Sequence, residues 1–234
     1  MVGMAKTFEF VLRYIEDEIK AGRLQAGDHL MPERELATHL NVSRTAVREA
    51  IRVYQAQGLL TSNVGRGPNS GTRLTPAPAT ALASMVRIHV ALGGFAVAEV
   101  METRIALETA SVRLAAQHCA DADIQELREL ATLMASPDIE LPDFNAADTR
   151  FHVTLAMISH NQLGADLTQA VRDALATPIY HASTALPDWY AFRARLIEDH
   201  LAIVAAIEHR DTDAAAAVVE RHIRDAHQHL FSEQ

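Results

Sequence analysis

The segment 32–51 limits the fold more than any other part of this 234-residue chain. It contains two short runs of regularly spaced apolar residues, joined by a tight Asn-Val-Ser turn. Leu36 and Leu40 lie four residues apart in the first run, and Val47 and Ile51 lie four apart in the second. Residues at this spacing share one face of a helix. The segment therefore predicts a helix-turn-helix.

Polar side chains open the second predicted helix on the side away from its apolar residues. Ser43 is a favoured N-cap, so the helix is predicted to begin there, and Arg44, Thr45 and Arg48 follow within its first turn and a half. This part of a docked helix-turn-helix meets base edges and phosphates in the major groove. An exposed arginine usually adds only solubility, but here the motif supplies the structural context for DNA binding.

Short strand-like segments flank a glycine-rich stretch after the helix-turn-helix. Residues 59–62 and 72–75 have strand composition, and residues 63–71 carry the glycines of a hairpin loop. Upstream, the apolar residues of 8–19 predict another helix, which ends at Ala21-Gly22. A helix-turn-helix followed by a hairpin is the winged form. We expect a winged helix-turn-helix DNA-binding domain over residues 1–75.

This N-terminal sequence resembles the DNA-binding domain of the GntR regulators, which are bacterial winged-helix transcription factors. The similar stretch runs without gaps from Ile19 to Gly58-Leu59 and includes Glu33-Arg34-Glu35-Leu36-Ala37, Val42-Ser43-Arg44 and Val47-Arg48-Glu49-Ala50. The resemblance implies operator contacts for four side chains, Arg34, Arg44, Thr45 and Arg48. It also implies that the wing tip near Gly65 reaches the minor groove.

The charge of the chain is unevenly distributed along its length. The formal net charge is −9, which by itself argues against a nucleic-acid partner. Residues 1–74, however, hold ten Lys and Arg against eight Asp and Glu, a net charge of +2, whereas residues 75–234 hold eleven against twenty-two, a net charge of −11. The acidic surplus belongs to the second part, so the total does not exclude DNA binding.

Helical periodicity without a convincing strand follows a short linker at 76–78, where Pro76 and Pro78 interrupt the chain. The predicted helices cover 79–92, 95–118, 122–135, 142–159, 162–182, 188–209 and 212–231. We expect a mainly α protein, in which an all-helical bundle over residues 79–234 follows the winged domain.

Two negative features of the sequence bear on where the protein works. Cys119 is the single cysteine, so no internal disulfide can form. No uncharged apolar run approaches the roughly 20 residues that a membrane-spanning helix needs. We expect a cytoplasmic protein without a membrane partner.

Four potential metal ligands stand out in the predicted bundle. Asp148 and His152 lie four residues apart on one helix face, and His200 and His222 lie on later helices. Imidazole nitrogens and a carboxylate suit zinc, nickel, manganese or iron. The chain has twelve histidines, and a single histidine is more often a hydrogen-bonded or surface residue than a ligand. Spacing alone leaves both interpretations open.

The surrounding residues resemble the FCD domain, the helical effector domain of the FadR-type branch of GntR regulators. The similar segments are Asp148-Thr-Arg-Phe-His152, the stretch 199–207 and Glu220-Arg-His222. The resemblance implies a divalent metal, with zinc as first candidate, bound by Asp148, His152, His200 and His222. It also implies that Arg104 binds an effector carboxylate beside the metal. The alternative for Arg104 is an ion pair with Glu108, its i+4 neighbour.

These observations predict a homodimeric transcriptional regulator that binds a pseudo-palindromic operator and responds to a small carboxylic acid at the metal. A metal-dependent enzyme with a DNA-anchoring domain is the alternative, because a metal with open positions can activate water. Against it, Ile197 and Val219 stand where helical di-iron sites have the glutamate of a Glu-x-x-His pair. A purely structural metal without an effector is the third possibility.

Overall fold

The computed structural model describes the backbone of residues 2–63 and 71–231, and the side chains of those residues from Thr7 onward. Two compact units divide the chain, Met1–Ala81 and Leu82–Gln234. Gly65, assigned to the wing tip, lies outside the described residues.

Three helices and a two-stranded sheet form the first unit. The helices are α1 (Val2–Lys20), α2 (Glu33–His39) and α3 (Arg44–Ala56). Strand β1 (Leu60–Asn63) pairs antiparallel with β2 (Gly71–Leu74), so that Leu60 faces Leu74 across the sheet. The core that joins them consists of Val11, Ile15, Leu30, Leu36, Ala37, Val47, Ala50, Ile51, Tyr54, Leu60 and Leu74. This is the predicted winged helix-turn-helix.

Local chemistry sets both ends of α3. The Ser43 side chain accepts a hydrogen bond from the Ala46 backbone N–H at 3.1 Å, which caps the start of the helix as predicted. At the other end, Gly58 has φ +71°, a conformation that side chains with a Cβ rarely adopt. A Cβ at Gly58 would lie 2.4 Å from the carbonyl oxygen of Ala77. Both conformation and space therefore require glycine there.

Seven helices form the rest of the described chain. They are α4 (Pro78–Ala91), α5 (Val97–His118), α6 (Asp121–Ala135), α7 (Leu141–Ile158), α8 (Gln162–Thr184), α9 (Trp189–Glu208) and α10 (Thr212–Phe231). Each end lies within two residues of the predicted position. Pro78, which the sequence places in the linker, is the first residue of α4, because proline suits the first turn of a helix.

Small residues let the central helices of the second unit approach closely. Ala115 and Ala116 on α5 are buried, as are Ala215 and Ala216 on α10, and α5 packs along α10. Helices α7, α8 and α9 also pack against α5. This arrangement brings polar side chains from α5, α7, α8, α9 and α10 into one buried region. Among the described residues, no helix combines the length and the apolar character that a bilayer span requires.

Candidate functional site

The polar side chains assigned to DNA recognition are all on the surface of the first unit. Arg34, Arg44, Thr45 and Arg48 are exposed. Arg34 and Arg44 make no side-chain hydrogen bond to any described residue. Arg48 donates to Oε2 of Glu33 from Nη2 at 3.0 Å and from Nε at 3.2 Å, and this pairing raises its pKa above the usual value. Because the pair is exposed, it is weak and can exchange for a phosphate contact.

The four predicted metal ligands meet inside the helical unit. One donor atom from each of Asp148, His152, His200 and His222 lies within 4.8 Å of the other three. Asp148 Oδ1 is 3.0 Å from His200 Nε2 and 3.8 Å from His152 Nε2. The two Nε2 atoms of His152 and His200 are 3.2 Å apart. All three histidines are buried, and the Asp148 side chain is 19% exposed.

The two shorter distances, 3.0 and 3.2 Å, fit neighbouring donors of one metal ion, whereas the 3.8 Å distance and the 4.8 Å limit are wider and would shorten on metal binding. Donor atoms bound at about 2.1 Å lie roughly 3.0 to 3.4 Å apart at neighbouring positions of a tetrahedral or octahedral shell. Three imidazoles and one carboxylate are a common ligand set for zinc and similar divalent ions. The donor atoms of this cluster therefore have the chemistry of a metal centre and a spacing close to that of one.

Two carboxylates lie against the outward nitrogens of the histidine rings. His152 Nδ1 is 2.7 Å from Oε2 of Glu108, and His222 Nδ1 is 3.4 Å from Oδ2 of Asp199, although neither ring N–H points directly at its oxygen. Carboxylates at this position orient metal-binding histidines and place the ring proton on the outward nitrogen. For His152, that leaves Nε2 available for a metal.

A buried arginine connects the predicted metal ligands to the rest of the site. Arg172 on α8 donates to both oxygens of Glu108, from Nε to Oε1 and from Nη2 to Oε2, each at 2.9 Å. It also donates from Nη1 to Asp148 Oδ2 at 2.8 Å, so that Oδ1 of Asp148 remains on the histidine side. Arg104 donates from Nε to Glu108 Oε1 at 2.8 Å. Two arginines and two carboxylates thus form one network.

Burial and this network determine the charge states at the site. Burial raises the pKa of Glu108 and of Asp148, but the Arg172 cation and its neighbours outweigh it and hold both values well below the usual range. Burial lowers the pKa of His152 well below its usual range, and Arg172 lowers it further. Burial also lowers the pKa of His200. Ionised carboxylates and neutral imidazoles are the metal-binding forms.

A small cavity of about 30 Å³ lies beside the predicted metal ligands and includes Arg104 in its lining. Its polar lining residues are Arg104, Asn145, Asp148, Ser183 and His222. Phe144, Trp189 and Phe192 contribute aromatic walls. The ion pair with Glu108, which is the alternative interpretation of Arg104, is present, but it uses only Nε of Arg104. The two terminal nitrogens of Arg104 have no hydrogen-bond partner among the described residues.

Sequence reasoning missed Arg172, Glu108 as the centre of the network, and Asn145. A signal for Arg172 exists in the sequence, because it lies between Thr168 and Leu175 on the apolar stripe of α8, where a charged residue is unusual. Arg172 is only 3% exposed. Such a position requires a buried partner.

Comparison with known proteins gives consistent results for both units. The family model for the FCD domain matches residues 99–225, and the model for bacterial regulatory proteins of the gntR family matches residues 7–68. The HTH-type transcriptional repressor NanR of Citrobacter rodentium is 29% identical over 93% of this chain and 83% of its own length. NanR of Edwardsiella tarda is 28% identical over 98% of this chain and 88% of its own length.

A solved structure supports the fold. The GntR protein of Streptococcus agalactiae superimposes with a TM-score of 0.60 at 21% identity, covering 94% of this chain and 99% of that one. The likeness concerns the fold of a winged helix-turn-helix followed by a helical domain.

Proposed function

The chain belongs to the GntR family of bacterial regulatory proteins and carries an FCD domain, and we propose that a small carboxylic acid, bound beside a divalent metal ion, controls the affinity of this transcriptional regulator for its operator. Regulators of the GntR family bind operator DNA, and the similar proteins named above are regulators and not enzymes. The alternative of a metal-dependent enzyme is therefore set aside.

DNA binding is assigned to residues 1–75, and the start of α3 is assigned to the major groove. Exposed Arg34, Arg44, Thr45 and Arg48 support this assignment, and Gly65 keeps its predicted role at the wing tip. We propose a homodimer, because a two-fold pair of winged helices would match a pseudo-palindromic operator.

Metal binding is assigned to Asp148, His152, His200 and His222, with zinc as the proposed ion. A bound ion of this kind supplies a Lewis-acidic centre for a carboxylate oxygen. The closeness of the donor atoms supports the assignment, and so does burial, which lowers the pKa of His152 and of His200 and favours their neutral, metal-binding form.

The charge balance of the buried network supports an acid as the effector. The positive charges of Arg104 and Arg172 balance the negative charges of Glu108 and Asp148, so the net charge of these four side chains is zero. A bound divalent cation would add two positive charges that these side chains do not compensate. The terminal nitrogens of Arg104 are free to bind a carboxylate. The single observation that carries the proposal is that one small cavity is lined both by Arg104 and by two of the proposed metal ligands, Asp148 and His222.

The DNA-binding assignment is tested by measuring affinity for a selected genomic fragment at several salt concentrations. Arg44→Ala and Arg48→Ala each remove a cation from the start of α3, so affinity falls and the salt slope decreases by about one for each phosphate that the variant no longer binds. Arg52→Ala is the matched control, because Arg52 is exposed on the same helix and paired with Glu49. Unchanged affinity and slope in both variants would refute the assignment.

The metal assignment is tested by elemental analysis of purified protein. His152→Ala and His200→Ala each delete a buried donor, so the metal content per chain falls. His118→Ala is the matched control, because His118 is exposed and stacks on His160 away from the cluster. Unchanged metal content in His152→Ala and His200→Ala would overturn the assignment.

A further inference from the structure

Asn145 on α7 carries a buried polar atom without a partner. Its Nδ2 is closed off from solvent, and neither end of the side-chain amide makes a hydrogen bond to any described residue. Buried polar groups are nearly always paired, so an unpaired donor requires an explanation. A ligand that supplies an oxygen to this amide is one such explanation.

The position of Asn145 relative to Asp148 supports a ligand contact. Asn145 lines the small cavity beside the metal ligands, together with Arg104 and Ser183. It precedes Asp148 by three residues on α7, which corresponds to a rise of about 4.5 Å along the helix. Asn145 is therefore placed to contact a ligand atom that lies well beyond the atoms at the metal.

Space for a longer ligand is present on the outer side of Asn145. A groove of about 650 Å³ between α7 and α8 shares Asn145, Asp148 and Ile179 with the small cavity. The small cavity alone has room for about one or two water molecules, whereas sites for small ligands are typically about 300 to 1,000 Å³. An acid whose carboxylate enters the cavity would thus extend past Asn145 into the groove.

We infer that Asn145 recognises the carbon chain of the effector acid by a hydrogen bond to a hydroxyl group on the third or fourth carbon of the acid. The distance supports this position, because a chain of three carbon–carbon bonds of about 1.5 Å each spans roughly 4 Å, close to the rise of about 4.5 Å between Asn145 and Asp148. A hydroxyl group can accept from Nδ2, which satisfies the buried donor, and a neighbouring second hydroxyl group can donate to Oδ1. The inference rests on the proposed acid site and names the class of acid it binds.

Ser183 and the polar groove walls favour the same class of ligand. Ser183 on α8 is 2% exposed and adds a hydroxyl group to the cavity. Gln169, Asp173 and Thr177 lie along the groove. Gln169 Nε2 already donates to Asp173 Oδ1 at 2.7 Å, but the remaining oxygens of this pair can still accept from a hydroxylated acid, a contact that an alkyl chain cannot make.

Fluorescence of Trp189 provides the test, since Trp189 is the single tryptophan and lines the cavity. The full-length, zinc-loaded protein is titrated with butyrate, 2-hydroxybutyrate and 3,4-dihydroxybutyrate. The wild type is expected to bind 3,4-dihydroxybutyrate about tenfold more tightly than butyrate. Asn145→Ala and Asn145→Leu are expected to lose this tenfold preference, because neither side chain can hydrogen-bond to a hydroxyl group.

Two controls separate recognition by Asn145 from other effects. The hydroxyl group of 2-hydroxybutyrate lies next to the carboxylate, where a bound metal ion would contact it. The preference for this acid over butyrate is therefore expected to remain in the Asn145 variants. Gln125→Ala removes an exposed amide on α6 that bonds only to Glu129, and it behaves as the wild type. Circular dichroism checks that every variant is folded.

The outcomes distinguish the inference from the proposed function. If the wild type binds none of the three acids, the acid site itself is wrong and the inference falls with it. If the wild type binds them but does not prefer 3,4-dihydroxybutyrate, or if the Asn145 variants keep that preference, the inference is wrong and the acid site stands. A uniform loss of all three acids in folded Asn145 variants also overturns the inference, because it shows a structural role.

Discussion

Removing Arg172 is predicted to destabilise the helical unit strongly. Arg172→Ala deletes two hydrogen bonds to Glu108 at 2.9 Å and one to Asp148 at 2.8 Å. Glu108 then keeps Arg104 as its cationic partner, and Asp148 loses its own. Breaking a buried ion pair by removing one partner costs about 3 to 5 kcal/mol. That is a large part of the roughly 5 to 15 kcal/mol by which a typical domain is stable.

The free energy of unfolding is measured by urea titration of metal-free protein, because bound metal would add stability of its own. Trp189 fluorescence reports on the helical unit alone, since the single tryptophan lies there. Arg150→Ala is the matched control: Arg150 is 67% exposed and lies 3.5 Å from Glu126, so its loss costs less than about 1 kcal/mol. If the free energy of unfolding falls no more in Arg172→Ala than in Arg150→Ala, the proposed contribution of the buried network is refuted.

Three further predictions concern the first unit, measured by thermal unfolding followed by circular dichroism. Ser43→Ala removes the α3 cap and lowers stability by about 1 kcal/mol; no change would contradict the capping role. Gly58→Ala is expected to lower the stability of the protein more than Gly22→Ala does. Both glycines have φ +71°, but only at Gly58 would a new Cβ lie 2.4 Å from the Ala77 oxygen. An equal loss of stability in the two variants would exclude a clash at Gly58. Burial and a nearby carboxylate raise the pKa of Tyr54 to about 12, so the stability that this shift contributes is complete below pH 10 and is lost between about pH 10 and 12. Tyr54→Phe is expected to remove this loss of stability. The same dependence of stability on pH in Tyr54→Phe and the wild type would contradict the prediction.

The fold could be predicted because its determinants are local in sequence. The four-residue spacing of Leu36 with Leu40, and of Val47 with Ile51, sets the helical faces of the first unit. Ser43 sets a helix start by a bond to a residue three positions away. Helix ends in the second unit follow prolines, glycines and caps, which act within a few residues. Such features are visible without knowledge of the tertiary structure.

Spacing predicts one part of the candidate metal site, and the resemblance predicts the rest. The i, i+4 step from Asp148 to His152 identifies one pair on one face. His200 and His222 join that pair only through packing of α9 and α10 against α5, which spacing does not encode. The resemblance to the FCD domain supplied this tertiary information.

The supporting side chains were not predicted, since their roles arise from packing. In the sequence, the neighbouring Asp173 favours a surface position for Arg172. Only the spacing of Arg172 along the apolar face of α8 indicates that it is buried. Glu108 was considered as a partner of Arg104 alone, yet it also binds Arg172 and lies 2.7 Å from His152. Asn145 stands out only when its unpaired amide is seen in three dimensions.

Control of DNA affinity by the acid is measured most directly by fluorescence anisotropy on a labelled genomic fragment that the zinc-loaded protein selects. Acids that change Trp189 fluorescence are predicted to shift the Kd for this fragment by about 5- to 150-fold. The shift is expected to vanish in Arg104→Ala and His152→Ala. The same Kd with and without every bound acid, or a full shift in both variants, would contradict coupling between the metal site and the operator.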